Sequence, residues 1–338
     1  MGIQSITVVG ASRPYPETER GWKFYQFLQL FSQHVASRWV DADQVSRCEA
    51  FDTDVLIVFL PERPTLAQLS QIRFKSFFLA HYTDWEDLDE GALAEFGHVL
   101  TGYLLPAINL EKTYPVPVFP LPLAFQRQIP SWCRYLDLDL KNRYFRASFV
   151  GAATVYQGAY PQRKAWVEEL VKQSACRVRV GLFDNASYPL DQVFLENPTR
   201  FSHPFLGPGL YMLMMYLSQV CVAPAGNAKW TYRHYEAIQA GSVLVSTDLR
   251  RLSLFIPLPE EGILYVPDHA PVWPVVATAL AALGGFQGII RRNQAYMSEY
   301  LHNGNYVAAK PKPFFAFMQQ LEGAVSTAPR KNVAPELR

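Results

Sequence analysis

The stretch that decides the fold is residues 219–248, QVCVAPAGNAKWTYRHYEAIQAGSVLVSTD. Its pattern predicts a strand at 220–222, a loop, a helix and a second buried strand at 242–245, because short apolar runs bounded by turn formers are typical of buried strands. Two parallel strands that flank a crossover helix form a βαβ unit. Ligands of such units bind at the carboxyl ends of the strands, beside helix N-termini. We therefore expect a binding site in the loop that follows the first strand.

The loop and the helix of this unit carry turn and capping residues. Thr231 can cap a helix that runs to Ala240, and Gly241 can take the C′ position that follows it. The loop before the helix contains three turn formers, Pro224, Gly226 and Asn227.

The first turn of the predicted helix carries Arg233, where the helix macrodipole disfavours a cation. An anion held by backbone N–H groups and by Arg233 would remove this conflict. Glu236 follows three residues later on the same face of the helix. The alternative is an exposed ion pair between Arg233 and Glu236, which would stabilise the helix by about 0.2–0.5 kcal/mol.

Two segments of this stretch, YLSQVCVAPAGN at 216–227 and YRHYEAIQAGSV at 232–243, resemble the exostosin-like glycosyltransferases. The shared pattern is a lead into a short strand, Pro-x-Gly, a gap, an arginine, then Glu-Ala and a Gly-Ser before the second strand. Leu244 departs from the proline that is usual in that family, and Lys229 and Trp230 replace an acid and a small residue. The resemblance is weaker over 145–250, and it is not visible before residue 100.

The resemblance implies an α/β fold of the GT-B type, with two doubly wound Rossmann-like domains facing across a cleft. It implies transfer of a sugar from a nucleotide-sugar donor to a carbohydrate or glycoconjugate acceptor, as in polysaccharide biosynthesis. It also implies that helix dipoles and basic residues, with no metal and no other cofactor, stabilise the departing nucleoside diphosphate. Arg233 would contact the diphosphate and Glu236 the ribose hydroxyls. The donor-binding residues expected in this stretch are Pro224, Gly226, Asn227, Tyr232, Arg233 and Glu236, and the βα turn described below adds Gly151, Arg163 and Lys164.

Composition and charge limit the other classes of function. The 338 residues suggest two domains, and the 49% hydrophobic share allows each of them to bury a core. A net charge of +1 argues against a nucleic-acid partner bound through phosphate contacts. The four cysteines form no CxxC and no Cys/His cluster, which argues against a zinc site and a disulfide framework and fits a reducing, cytoplasmic compartment.

The N-terminus lacks the basic segment and the apolar run of a signal peptide. No stretch reaches the roughly 18 apolar residues that a transmembrane helix needs. We therefore expect a cytoplasmic protein without a transmembrane segment, for which peripheral contact with a membrane remains open.

Alternating apolar runs and helical spacings predict an α/β pattern in both halves. Residues 121–145 mix proline, aromatic and charged residues and are expected to form the interdomain passage. We predict an N-terminal acceptor-side domain at 1–140, a C-terminal nucleotide-sugar-binding domain at 141–324 and a tail at 325–338. The last helix, near 314–321, is expected to return to the N-terminal domain. The strand candidates of the first half are 5–10, 55–60, 75–79, 98–105 and 116–119, and helices are expected at 22–36 and 65–73.

A second basic helix start follows the strand predicted at 146–150. Gly151 comes directly after that strand, and Arg163 and Lys164 lie in the first turn of a helix with Pro161 at N1. Two adjacent βα turns with glycine and basic residues predict a shared anion site. The alternative is that Arg163 and Lys164 are solvated and pair with Glu168.

The candidates for a general base are His81 and Asp84, in a turn that follows a predicted strand. A transfer with inversion requires deprotonation of the acceptor hydroxyl. The alternatives are an aspartate that bonds its own backbone in a turn and a histidine satisfied in the core. The sequence DLD at 137–139 has the letters of a metal-binding motif, but it lies in the predicted passage, so we expect no metal site.

Three functions fit these patterns. The first is a nucleotide-sugar-dependent glycosyltransferase. The second is a non-catalytic module that binds a sugar nucleotide or a glycan on the same fold. The third is another α/β enzyme with a phosphate-bearing ligand, such as an epimerase-like protein. The absence of GxGxxG from the sequence weakens a form of the third that would use NAD.

Overall fold

A computed structural model describes residues 2–10, 35–60, 63–81, 87–121, 139–152, 160–173, 177–183, 208–226, 229–300, 312–325 and 331–332. The chain divides into two compact units. Unit 1 comprises Met1–Gln126, Leu252–Pro257 and Asn305–Arg338, and unit 2 comprises Arg127–Arg251 and Leu258–Gly304. The predicted roles of the two domains, acceptor side and donor side, stay predictions.

Unit 1 is built on a parallel sheet. Its strands are β1 (Ser5–Gly10), β2 (Ala36–Asp41), β3 (Phe51–Leu60), β4 (Ile72–His81), β5 (Gly102–Leu105) and, after a short β6 (Ala107–Asn109), β7 (Val118–Pro120). The order across the sheet is β2-β1-β3-β4-β5-β7. Because the connections reverse direction between β1 and β3, this is the order of a doubly wound sheet.

The centre of this sheet is formed by β3 and β4, which are paired along their whole length from Phe51↔Ile72 to Leu60↔His81. Their inner residues are buried on both faces. The ring of Phe77 lies 5.5 Å from each of the rings of Phe74 and Phe96, measured between centroids. Continuous apolar runs are typical of parallel strands that are covered on both sides, which is how the sequence predicted the strand at 55–60.

Smaller elements complete unit 1. Helix α1 (Glu90–Phe96) is capped by Asp89, whose carboxylate accepts the N–H of Ala92 at 2.7 Å. Strand β6 pairs antiparallel with a strand from later in the chain, which is β12 (Leu252–Leu254). Helix α7 (Lys312–Val325) lies near the C-terminus. It is followed by a short strand, β14 (Lys331–Asn332), which lies in the segment predicted as a tail and pairs antiparallel with β4. The carboxylate of Glu322 in α7 accepts the N–H of Gly2 at 2.9 Å.

Unit 2 contains a second parallel sheet. Its strands are β8 (Phe145–Ala152), β9 (Val178–Phe183), β10 (Ser218–Ala223), β11 (Val243–Thr247) and β13 (Ile263–Val266). The order is β13-β11-β10-β8-β9, so the connections reverse between β8 and β10. The described helices are α2 (Tyr160–Lys172), α3 (Pro208–Tyr216), α4 (Arg233–Gln239), α5 (Trp273–Ala281) and α6 (Leu283–Tyr300).

Both faces of the unit 2 sheet are covered by helices. Successive side chains of a strand point to opposite faces, so the neighbours Val222 and Cys221 report on one face each. On one face, Val222 belongs to a buried cluster with Trp166 of α2 and Val276 of α5. On the other face, the thiol of Cys221 lies 3.8 Å from the carbonyl oxygen of Met215 in α3. This double cover explains why β10 and β11 are buried at every position.

Several elements differ from the sequence-based expectation. Strand β2 was missed, since it is an edge strand in which exposed and half-buried residues alternate. The helix predicted at 65–73 is a 3₁₀ turn at Ala67–Gln71 that leads straight into β4, and the strand predicted at 98–105 begins only at Gly102. Helix α1 was also missed. Of the helix predicted at 22–36, residues 22–34 lie outside the described residues, and its last residue, Ala36, begins β2 instead.

The predicted N-cap of helix α4 is wrong. The cap is Tyr232, which already has helical dihedral angles, and its side chain makes no capping hydrogen bond. Thr231 instead donates its backbone N–H to Nδ1 of His234 at 3.0 Å, so this residue belongs to the loop. At the other end the prediction is confirmed, because Gly241 has φ +68°, the left-handed conformation that favours glycine after a helix.

Within the described ranges no single helix is long and apolar enough to cross a membrane, although the bent pair Trp273–Ala281 and Leu283–Met297 reaches that length and composition together.

Candidate functional site

The predicted donor residues of unit 2 lie at the carboxyl ends of β8 and β10. These two strands are neighbours, and their register places Val220 beside Ala147 and Cys221 beside Ser148. After β8 the chain continues through α2 to β9, which lies on the side of β8 away from β10. After β10 it continues through α4 to β11, which lies on the side of β10 away from β8. In open α/β sheets, ligands bind in the crevice that this reversal opens.

Arg233 is the central cation of this crevice. It is the first residue of α4 and is only 8% exposed. Its Nε donates to the carbonyl oxygen of Val150 at 2.7 Å, and its guanidinium carbon lies 4.7 Å from the centroid of the Phe149 ring. Its Nη1 is buried and has no hydrogen-bond partner among the residues that the structure describes. A buried guanidinium N–H without an acceptor is costly, so this atom is suited to an anion.

Gly151 makes room for this guanidinium. A Cβ atom at residue 151 would lie 1.9 Å from Nη2 and 2.9 Å from Cζ of Arg233. Only glycine therefore allows the side chain of Arg233 to lie against the end of β8. The sequence named both residues as donor-binding candidates, and the structure brings them into contact.

The loop that follows β10 is tied to the first turn of α2. Nε of Arg163 donates to the carbonyl oxygen of Ala225 at 3.0 Å, and the Ala225 N–H donates to Oε1 of Gln162 at 3.4 Å. Pro224 and Gly226, on either side of Ala225, are both buried. The two predicted βα turns are thus adjacent, and Arg163 is engaged with the loop rather than fully solvated.

The other predicted donor residues have different environments. Lys164 is half-buried beside Arg163 in α2. Tyr232 is half-buried, and its ring lies 5.1 Å from the ring of the fully buried Trp230. Asn227 lies outside the described residues.

Glu236 is buried one helical turn after Arg233, with 4% of its surface exposed. Its Oε2 accepts the hydroxyl of Tyr211 in α3 at 2.6 Å. Because Arg233 and Glu236 are both buried, the alternative of an exposed surface ion pair is excluded. Tyr211 was missed by the sequence reasoning, since it lies in an apolar helix whose pattern shows only core packing.

His234, the neighbour of Arg233, is a structural residue. Its Nε2 lies 2.8 Å from Oγ of Ser246, whose own hydroxyl donates to the carbonyl oxygen of Thr247. Nδ1 lies 3.0 Å from the backbone nitrogen of Thr231 and 2.8 Å from its carbonyl oxygen. Burial lowers the pKa of His234 to about 3, and this effect outweighs the raising effect of its bond to the Thr231 backbone. The neutral imidazole therefore ties the loop before α4 to β11.

A second buried arginine lies at the opposite end of the sheet. Nη1 of Arg143 donates to the carbonyl oxygen of Ser218, where β10 begins, and to Oγ of Ser242 before β11, at 3.0 and 3.1 Å. Its guanidinium lies 5.1 Å from the ring of Tyr216, and burial lowers its pKa to about 10. It joins the amino ends of two strands to the C-terminus of α3, which is a structural role.

The base candidate His81 is the last residue of β4 in unit 1, and it is 8% exposed. Its ring lies 5.7 Å from that of Tyr103. Burial lowers the pKa of His81 to about 4, since the raising effect of Asp89 is partly opposed by Arg63. The imidazole is therefore neutral near pH 7. The other candidate, Asp84, lies outside the described residues.

Among the residues that the structure describes, no group of three or more His, Cys, Asp or Glu side chains could hold a metal ion. The expectation that the protein needs no metal and no other cofactor stays a prediction.

No protein-family model and no curated protein sequence matches the chain. Solved structures do match. A glycosyltransferase from Rickettsia africae ESF-5 has a TM-score of 0.58 at 9% identity, over 97% of this chain and 100% of that one. A structure described as trehalose-6-phosphate from E. coli, bound with UDP-2-fluoro glucose, has a TM-score of 0.56 at 10% identity, over 97% and 100%. The chain has the α/β fold of the GT-B glycosyltransferases.

Some matched structures are longer. The GtfA/B complex is covered over 61% of its length by 85% of this chain, with a TM-score of 0.49 and 10% identity.

Proposed function

We propose that this protein is a nucleotide-sugar-dependent glycosyltransferase that moves a sugar to a hydroxyl of a carbohydrate or other acceptor without a metal ion. The observation that carries the proposal is the buried Nη1 of Arg233, which has no acceptor within the described structure and lies at the reversal point of the unit 2 sheet. A diphosphate supplies the missing acceptor at the place where this fold class binds its ligands.

The chemistry follows from where charge grows during transfer. As the bond between the sugar and the diphosphate breaks, negative charge builds up on the leaving phosphate. Arg233 can donate to that phosphate, and an interaction that strengthens in the transition state accelerates the reaction. Because Gly151 and Phe149 already surround the guanidinium, little reorganisation is needed when the charge appears.

Removal of the acceptor proton is the second requirement. We propose His81 as the base, with Asp84 as the alternative. A base with a pKa of about 4 is unprotonated at neutral pH, but it accepts a proton less readily than one with a pKa near 7. If His81 is the base, the acid limb of kcat/KM should lie near pH 4.

Finer features of the proposal rest on the sequence resemblance. It favours an exostosin-like subtype that acts in polysaccharide biosynthesis, in the cytoplasm, on a carbohydrate or glycoconjugate acceptor. A similar structure holds UDP-2-fluoro glucose, which makes UDP-sugars the first donors to test.

A panel of nucleotide sugars tests the proposal in two steps. A donor at 100 times its dissociation constant should stabilise the protein by about 2.7 kcal/mol, which thermal shift detects. Release of free nucleotide, with and without acceptor sugars, then distinguishes an enzyme from a module that only binds. If no nucleotide sugar stabilises the protein, the proposal fails. Binding without hydrolysis or transfer to any acceptor would favour the non-catalytic alternative.

A further inference from the structure

Tyr211 and Glu236 form a buried pair, of which Tyr211 lies outside the two segments that carry the family resemblance. The hydroxyl of Tyr211 donates to Oε2 of Glu236 at 2.6 Å, a short distance typical of a hydrogen bond to an ionised acceptor. Tyr211 is 2% exposed and Glu236 is 4% exposed. Two buried polar groups from two different helices are thus held in one geometry.

The helix that presents Tyr211 is anchored at its other end. Oγ of Ser218 donates to the carbonyl oxygen of Met214 at 2.6 Å, and Oγ of Ser242 donates to that of Met215 at 2.8 Å. These bonds fix the C-terminal end of α3 to the starts of β10 and β11. A tyrosine has only two side-chain torsions, so its hydroxyl is a rigid donor once its helix is fixed.

The position of Glu236 gives this rigidity a use. Glu236 is one turn beyond Arg233 in α4, about 4.5 Å along the axis at 1.5 Å per residue. If Arg233 binds the diphosphate, Glu236 lies toward the next part of the donor, which is the ribose. A carboxylate can accept from two neighbouring hydroxyls only in the correct orientation, and fixing that orientation beforehand lowers the cost of binding.

We infer that Tyr211 is a positioning residue that orients the carboxylate of Glu236 toward the ribose hydroxyls of the donor. The inference rests on the proposed function. It also assigns a role in ligand selectivity to α3, since a pair held in this way distinguishes a ribose from a sugar ring without the two hydroxyls.

Tyr211→Phe tests the inference, because it removes one oxygen atom and keeps the ring. The probes are the nucleoside diphosphate that binds the wild type best among UDP, GDP and ADP, and its 2′,3′-dideoxy analogue, with affinities measured by calorimetry. We expect Tyr211→Phe to weaken the binding of the ribose form about five- to tenfold, which is in the range of one ordinary intramolecular hydrogen bond, and to leave the binding of the dideoxy form unchanged. The exposed Tyr144→Phe, at a residue that is 62% exposed, is the matched control and should change neither.

The outcomes separate the inference from the function on which it rests. If the wild type binds none of the three diphosphates, the proposed function fails. If it binds one and Tyr211→Phe binds equally well, or weakens both forms by the same factor, Tyr211 is only structural and the inference is overturned.

A second pair of variants applies if Tyr211→Phe does not fold. Replacing the carboxylate by a neutral amide avoids a buried charge that has lost its tyrosine donor, so Tyr211→Phe combined with Glu236→Gln is the safer background. Its affinity for the ribose form should equal that of Glu236→Gln alone. A further loss would show that Tyr211 acts by another route, which would overturn the inference.

Discussion

Arg233 lies beside the carboxyl end of β8, where open α/β sheets bind their ligands. It is buried, and one of its donors has no acceptor among the described residues. Replacing a buried charge by an apolar side chain of similar size is often neutral or stabilising, whereas loss of a hydrogen bond to a charged ligand is costly. Stability and ligand binding should therefore respond in opposite ways to its removal.

Arg233→Met should leave the melting temperature of the free protein unchanged or raise it, and it should weaken donor binding about 10- to 150-fold, which corresponds to roughly 1.5–3 kcal/mol. Thermal shift and calorimetry measure the two quantities. Arg292→Met, at an exposed arginine that pairs with Glu261, is the matched control and should leave binding unchanged. Normal donor binding by Arg233→Met would show that this residue is not part of the donor site.

Gly151→Ala should cost as much donor affinity as Arg233→Met, because the new methyl group occupies the position of Nη2. The double variant should bind no more weakly than either single one, since the two changes remove the same interaction. Gly285→Ala, where an added Cβ meets no atom within 4 Å, is the control. Additive losses in the double variant would contradict the steric link.

His81 should make stability depend on acid pH. Its pKa in the folded protein is about 4, below the ordinary 6.5, because it is buried. The unfolded chain therefore binds the proton more readily between these values, so the contribution of His81 to the free energy of unfolding is constant above pH 6.5 and falls as the pH drops toward 4. His81→Phe should flatten this fall in denaturant titrations. An unchanged slope in His81→Phe would contradict the prediction.

The turn between α4 and β11 shows how an element depends on a glycine. Gly241 has φ +68°, and a Cβ there would lie 2.4 Å from Nε2 of Gln294 and 3.0 Å from Nη2 of Arg143. Gly241→Ala should lower the free energy of unfolding by about 1–3 kcal/mol, since it adds backbone strain to a steric clash. Gly285→Ala, inside α6, should instead be neutral or stabilise by up to about 1 kcal/mol. Equal effects of the two variants in urea titrations would contradict this account.

The sequence predicted the elements that have strong local signals. Apolar runs identified β1 and β3, and Gly241 identified the end of α4. Strand β2 was missed because an edge strand carries no continuous apolar run. The family resemblance named Arg233, and the βα turn that follows the strand predicted at 146–150 named Gly151. These two residues are 82 positions apart in the chain, so their contact cannot be predicted from a local sequence pattern.

The bond between Tyr211 and Glu236 was invisible to sequence reasoning for the same reason. Tyr211 lies in PGLYMLMMY, an apolar helix whose two tyrosines are consistent with ordinary core packing. The contact between this hydroxyl and the carboxylate of Glu236 forms only when α3 and α4 pack together. Pair interactions between distant elements are thus the part of the site that one-dimensional patterns do not contain.

For the molecule as a whole, the proposed mechanism predicts activity without a divalent cation. The diphosphate charge is to be met by Arg233, so transfer or donor hydrolysis should survive excess EDTA at an unchanged rate. Complete loss of activity that manganese restores would show that carboxylates elsewhere in the chain hold a metal, and it would overturn metal independence.

The chain segments of unit 1 have a consequence for biosynthesis. This unit contains both Met1–Gln126 and Asn305–Arg338, and Glu322 accepts a hydrogen bond from Gly2. A ribosome delivers the chain from its N-terminus, so the first unit to be started is the last to be finished. Unit 2 can fold while β4 still lacks the helix that forms from residues 312–325. A truncation near residue 304 would therefore destabilise unit 1, which contains the N-terminal segment, because it removes this helix. During normal synthesis, the first strands of unit 1 leave the ribosome long before the helix that packs on their sheet is made.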